Sequence, residues 1–280
     1  MLAPAEASTN RRVRCRQIVE SDLDSLAKLL LQGFPRTSRQ FWDAGLARMA
    51  ALSPIEEMPR FGYALESEGG LVGALLSISS RRGTQIFSNV SAWYVHPSYR
   101  AHSTLLVSTT TKLKHVVYLN VSPADHTLRT LQLMGWKRYN FGQSAVLPLP
   151  GFGRGIVSED IPADLPERAL LEDHRQMGCA SIVCQSGEAR SPFVFKRRWL
   201  GRFHLPVMEL IWCRTTSDFE RCAPALWRHF LKRRTFGFIL DGKVKGVLSH
   251  YTDGKEPRLY KGPHAPSLND LAYTEKVIFE

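Results

Sequence analysis

The chain has 280 residues and a mass of 31.6 kDa, with 44% hydrophobic and 22% charged residues, a globular composition that excludes a disordered or fibrous protein. Lys and Arg outnumber Asp and Glu by 37 to 26, and the resulting +11 suits an anionic partner: nucleic acid, an anionic surface or a phosphorylated small molecule. No apolar run reaches the ~18 residues of a membrane helix and residues 1–16 lack the apolar stretch of a secretory signal, so a cytosolic chain with no membrane partner is expected.

Residues 1–10 are small and polar and read as a frayed end. Residues 13–19 alternate apolar and polar side chains, as a strand does. Ser21 and Asp22 then offer an N-cap for a helix that places Leu23, Leu26, Leu29 and Leu30 at helical spacing as far as about residue 32. A second helix over 38–51 presents Phe41, Leu46 and Met49, and Pro54 and Pro59 break the chain after it. Strands at 61–66 and 71–79 are joined by the turn Glu68-Gly69-Gly70, and a third strand at 86–95 is stopped by His96-Pro97. A helix at 101–114 carries a poorly helical Thr109-Thr110-Thr111 run. A strand at 116–121, a helix at 125–134 closed by Gly135, and a strand at 136–141 complete the first half.

The Pro- and Gly-rich stretch at 148–156 is read as a linker between residues 1–147 and 157–280. The second half offers a helix at 162–176, strands at 180–185, 192–197 and 207–213, and a helix at 217–232. A hairpin of 236–241 with 243–251 and a last strand at 271–279 follow. The expected class is α/β (α+β), with a mixed, mostly antiparallel sheet flanked by helices. Two segments echo each other: Ser21-Asp22-Leu23 against Ser217-Asp218-Phe219, and Phe61-Gly62-Tyr63-Ala64-Leu65-Glu66 against Phe236-Gly237-Phe238-Ile239-Leu240-Asp241. The strands that follow share Gly73 to Ser77 and Gly246 to Ser249, which suggests a duplication with an incomplete second copy.

Chemistry concentrates in Trp93-Tyr94-Val95-His96-Pro97-Ser98-Tyr99-Arg100-Ala101-His102-Ser103-Thr104-Leu105. A strand stops at a proline, a Tyr-Arg turn follows and a helix begins, so unpaired backbone N–H groups and a cation face one place, as a pyrophosphate site requires. This segment resembles the core motif of the GNAT acyltransferase superfamily, a strand followed by V-x-P-x-Y-R and a glycine-bearing loop, here matched at Val95, Pro97, Tyr99 and Arg100. The helix from Ala124 to Gly135-Trp136 is similar to a later signature of that family.

The resemblance implies a GNAT-like first domain that binds acetyl-CoA or another acyl-CoA through Trp93, Tyr94, Val95, Arg100, Ala101, His102, Ser103, Thr104 and Leu105. It also implies a degenerate GNAT-like second domain and acyl transfer to a small-molecule or peptide amine acceptor. Glu66 and Asp125 are the carboxylates expected near the reacting strands and are candidate bases. Ser103 and Leu105 stand where the family places small loop residues, Leu131 where many members carry an acid tyrosine, and Ala124 where they carry asparagine. A non-catalytic CoA-binding or protein-interaction module is therefore the alternative reading.

Other features read as structural. His96, His102, His115 and His126 lack metal-ligand spacing, and no metal is expected. Five cysteines, Cys15, Cys179, Cys184, Cys213 and Cys222, match no zinc or redox motif. Gly151-Phe152-Gly153-Arg154-Gly155 is a linker rather than a phosphate loop, since no helix follows at once. Lys196-Arg197-Arg198 and Lys232-Arg233-Arg234 read as solvated faces, with Trp199 and Phe236 leaving nucleic acid as a minor alternative. A homo-oligomer is compatible with the sequence.

Overall fold

A computed structural model describes residues 12–147, 155–201, 204–245 and 248–280. The end expected to fray at 1–10, most of the 148–156 linker, the Gly151-Phe152-Gly153-Arg154 run and Gly246 of the repeat lie outside the described residues. Two compact units make up the chain: one reaches Val116 and takes in Phe279, the other runs from Val117 to Ile278 and takes in Glu280.

In the first unit, β1 (Arg14–Gln17), β2 (Gly62–Ser67), β3 (Gly70–Arg82) and β4 (Gln85–Val95) pair in that order, all antiparallel. α1 (Leu23–Gly33) packs Leu26, Ala27, Leu29 and Leu30 on β3, as their spacing predicts; each buried leucine contributes ~1.5–3 kcal/mol. Its entry is held by Asp22 and not by Ser21: the carboxylate accepts the Val19 N–H at 2.9 Å and lies 2.6 Å from Arg16. α2 (Arg39–Ala51) begins after Ser38, whose Oγ accepts the Phe41 N–H at 3.1 Å, a cap worth ~1 kcal/mol. Trp42 of this helix meets Phe279 edge-on at 5.4 Å. Gly62, at φ +115°, opens β2 where a Cβ would stand 2.2 Å from the Leu75 carbonyl, so no larger residue fits.

The expected helix at 101–114 forms in two pieces. A 3-10 turn covers Pro97–His102, and α3 (Ser103–Thr110) follows. Thr110 and Thr111 donate their hydroxyls back to the Leu106 and Val107 carbonyls at 2.8 and 2.9 Å as α3 ends.

The second unit contains β5 (Val117–Asn120), α4 (Asp125–Leu133), β6 (Lys137–Leu147), β7 (Ile156–Ser158), α5 (Arg168–Gln176), β8 (Ala180–Ser186) and β9 (Ala189–Leu200). It continues with β10 (Leu205–Cys213), α6 (Thr216–Leu231), β11 (Phe238–Asp241), β12 (Leu248–Lys261) and α7 (Glu275–Ile278). The strand order is β5-β12-β6-β11-β10-β9-β8-β7, with only β10 and β11 parallel among these pairs. Under α6 the rings of Phe193, Phe195, Phe219, Phe230 and Phe238 are buried in one cluster, with Phe195 and Phe230 edge-to-face at 5.2 Å.

Four sequence expectations change here. β11 and β12 do not form a hairpin; β6 lies between them and pairs with both. The reason is that β11 returns from α6 parallel to β10, which leaves its other edge to β6. For the same reason the chain does not divide at 148–156: β6, expected to close the first domain, has both edges bonded within the second unit. The segment 271–279 is no strand but a turn and the short α7, buried from Val277 to Phe279 with no solvent face to alternate with. The helix expected from 162 begins at Arg168.

The repeat also takes a different register. A short strand, a helix, a three-stranded meander and a further helix occur in each unit: β1–α1–β2–β3–β4–α3, and β7–α5–β8–β9–β10–α6, with α2 an addition to the first. Thus α6, opened by Ser217-Asp218-Phe219, stands in the place of α3 and not of α1. β2 is a meander strand and β11 a crossover strand, so their similar residues record similar burial and not equivalent position.

Candidate active site

β4 is irregular just before its end. Tyr94 faces Ala74 and Ser91 faces Leu76, so Ala92 and Trp93 together stand opposite Leu75. This is a β-bulge, and Ala92 adopts φ +50°, a left-handed conformation that alanine rarely takes. A bulge leaves one residue out of the ladder and re-aims its backbone N–H. The strand then resumes: Val95 is buried opposite Gly73, and the His96 N–H donates to the Val72 carbonyl at 2.8 Å.

Pro97 starts the 3-10 turn. His96 Nδ1 accepts the Ser98 N–H at 3.4 Å and the His96 carbonyl accepts the Tyr99 N–H at 2.8 Å. Tyr99 donates its hydroxyl to Ser67 Oγ at 3.3 Å, tying the turn to the end of β2. The Ser103 N–H donates to the Arg100 carbonyl. These bonds use backbone donors that the sequence reading left free, so side chains carry more of any anion binding. Arg100, Ala101, His102, Thr104 and Leu105 are exposed and Ser103 is half-buried. Among the described residues Arg100 forms no ion pair, so its guanidinium is available to an anion.

The remaining expected residues do separate work. Tyr94 packs its ring on Gly33, where a Cβ would come within 2.4 Å of it; its side chain is structural. The Glu66 carboxylate lies 2.8 Å from Arg16, on the strand two places from β4, roughly 10 Å across the sheet. The hydrogen bond from Arg16 holds its pKa below the ordinary range, the opposite of what a general base needs. Asp125, in the second unit, is exposed at the first residue of α4, where it complements the helix dipole. Leu131 is buried on α4 and Ala124 caps that helix with no side-chain bond.

A buried ionic cluster in the second unit escaped the sequence reading. Arg258, fully buried, places Nε 2.9 Å from Asp241 Oδ2 and Nη2 3.3 Å from Glu256 Oε2, and donates Nη1 to the Val121 carbonyl. Arg198 lies 3.0 Å from Glu209 and 3.4 Å from Glu256, and Lys276 lies 3.0 Å from Glu256. Three cations thus meet three carboxylates. Burial pushes the Glu209 carboxyl up, against the pull of Lys276 and Arg198. Burial also acts to raise Glu256, but Lys276 and Arg258 outweigh it and hold that group at about 2. The members come from β9, β10, β11, β12 and α7, and no local spacing announces them.

The parallel pair β10–β11 opens after two residue pairs, Met208 with Phe238 and Glu209 with Ile239. The chain's own segment 269–271 occupies the opening. Leu271 N–H donates to the Ile211 carbonyl at 2.8 Å, and Asp270 bridges to Trp212. Asn269 accepts the Asp241 N–H at 2.7 Å and donates to the Asp241 carbonyl at 3.2 Å. Asn269, at φ +59°, is one of the few residue types that tolerate that conformation. Tyr273 then donates its N–H to His174 Nε2 at 3.2 Å and its hydroxyl to Asp173 at 2.6 Å.

No protein-family model matches the chain, and no curated protein matches it. Solved structures do. A GCN5-related N-acetyltransferase from Anabaena variabilis aligns with a TM-score of 0.60 at 10% identity, over 89% of this chain and 72% of that one. One from Kribbella flavida aligns at 0.54 and 12% identity, over 91% and 72%. A protein of Pyrococcus horikoshii assigned to the acetyltransferases aligns at 0.56 and 11% identity, over 97% and 96%. The chain therefore has the fold of the GCN5-related N-acetyltransferases, the GNAT superfamily.

Proposed function

We propose that this chain is an acyl-CoA-dependent N-acyltransferase with one cofactor site, built on β4, the following turn and α3 of the first unit. The observation that carries the reading is the bulge at Ala92–Trp93, followed without interruption by Val95-x-Pro97-x-Tyr99-Arg100. It puts a re-aimed backbone N–H, a cation and a hydroxyl on one strand-to-helix connection. Acyl-CoA would supply the activated thioester. Arg100 and Ser103 would hold its pyrophosphate, and the backbone near Trp93 would receive the negative charge that builds on the thioester oxygen as an amine attacks. With Glu66 engaged by Arg16, the ammonium proton would go to solvent or to a base supplied with the acceptor. The second half, whose opening between β10 and β11 is filled by 269–271, would take no cofactor.

The test is thiol release from acetyl-CoA and longer acyl-CoAs in the presence of mixed small amines and peptides. Release that depends on the amine supports transfer. Binding of acyl-CoA without release would favour the non-catalytic module, a reading that the buried Leu131 and the absence of a free carboxylate at Glu66 support.

A further inference from the structure

Two buried cysteines of the second unit lie against each other. Cys184 of β8 and Cys222 of α6 share the apolar cluster under α6, each no more than 1% exposed, and the Cys184 thiol donates a hydrogen bond to the Cys222 sulfur. Polar side chains stand beside them. Ser191, opposite Cys184 in the β8–β9 register, accepts from Arg221 at 2.8 Å and donates to Asp218 at 3.1 Å. The bond from Cys184 holds the Cys222 thiol below its ordinary range against the effect of burial, and the Arg221 charge pulls the same way. The same bond pushes Cys184 up. Cys213 is placed otherwise, with its thiol donating to the Thr215 carbonyl at 3.2 Å. The cover over the pair is thin. A Cβ on Gly155 would stand 3.2 Å from Cys184 Sγ, so the Gly155 backbone lies directly on that sulfur. Gly155 also lines a cleft of about 510 Å³ with Val157, Ala225 and Arg228. β7, which follows Gly155, has three residues at the edge of the sheet and pairs with β8, so local opening there uncovers Cys184.

We propose that Cys184 and Cys222 are a dithiol that hydrogen peroxide oxidises to a disulfide between β8 and α6. A thiolate beside a second thiol supplies the attacking and the resolving sulfur of such a reaction. The Cys222 thiolate attacks one oxygen of the peroxide and the O–O bond breaks. The departing hydroxide takes up the proton that Cys222 gave and leaves as water, and Cys222 becomes a sulfenic acid. The Cys184 sulfur then attacks the Cys222 sulfur. The S–S bond forms, the S–O bond breaks, and a second water leaves with the Cys184 proton. The two sulfurs together lose two electrons and two protons, and the peroxide is reduced to two waters. A metal is disfavoured, because among the described residues no group of three His, Cys, Asp or Glu side chains could hold one.

The full, reduced chain treated with a small excess of hydrogen peroxide, then unfolded, thiol-blocked and mapped by mass spectrometry, tests this. Two of the five thiols should be lost. The peptides of Cys184 and Cys222 should appear joined, at a mass lower by two hydrogens, and dithiothreitol should separate them. Cys184→Ala should stop Cys222 at the sulfenic acid, which dimedone traps. Cys222→Ala should slow the oxidation of Cys184 by about tenfold or more, since the thiolate that attacks is gone. The map of the unsubstituted chain decides the matter if either variant fails to fold. Five thiols intact, a disulfide drawn from Cys15, Cys179 or Cys213, or Cys222 carrying two or three oxygens while Cys184 stays a thiol would each overturn the proposal. Neither cysteine belongs to the proposed cofactor site, so the result is independent of acyl transfer.

Discussion

Two residues carry the cofactor reading and one carries the strain behind it. Arg100 is exposed with no ion pair among the described residues, so Arg100→Ala removes a cation and no structural bond. It should weaken acetyl-CoA by ten- to a hundredfold, the ~1.5–3 kcal/mol of a hydrogen bond to a charged group, with the melting temperature unchanged. Ser103→Gly should weaken acetyl-CoA a few-fold, since the Ser103 N–H is already held by the Arg100 carbonyl and the substitution removes the hydroxyl left to donate. Ala92 is different. A β-branched side chain at φ +50° is strongly disfavoured, so Ala92→Val should cost ~1–3 kcal/mol of stability or flatten the bulge. Chemical denaturation separates the outcomes: a stable variant with lost activity points to the bulge as the oxyanion donor, and a fully active, fully stable one contradicts it.

At the scale of elements, the sequence was most legible where periodicity had a single solution. α1, α2 and the β2–β3–β4 meander fall within a few residues of expectation, because each buries one face and ends at a turn residue, a cap or Pro97. It was least legible where partners come from far along the chain. Nothing in Lys243 to Tyr251 tells that β6 will separate β11 from β12, and nothing local marks Arg258 as the centre of a buried cluster. Nor does Ala92 signal a bulge, since alanine has no preference for positive φ. Glu66 read as a free carboxylate because Arg16 lies on another strand. The cluster makes its own prediction: Arg258→Leu should cost ~3–5 kcal/mol, because it leaves the buried Asp241 without its cation. Glu256, held at about 2, contributes stability above its unfolded pKa of about 4.5 that is lost as pH falls toward 2. Glu209, pushed up, works in the opposite sense. Glu256→Gln should therefore flatten the acid side of the stability profile, which melting temperatures from pH 6 to pH 2 would record.

For the whole molecule, the two halves differ. The first keeps an accessible strand-to-helix turn with a free cation; in the second the chain's own residues 269–271 bond to both parallel strands. The fragment 157–280 would lose β6, the shared partner of β11 and β12, and should be insoluble or loosely packed; a sharply melting monomer would show that β6 is dispensable. Calorimetric titration of the full chain with acetyl-CoA, run beside Arg100→Ala, bears most directly on the proposed site. One site per chain is expected, with affinity falling at least tenfold in the variant. Two sites, binding indifferent to Arg100, or no binding at millimolar ligand would contradict it, and the last would leave the GNAT fold without its chemistry.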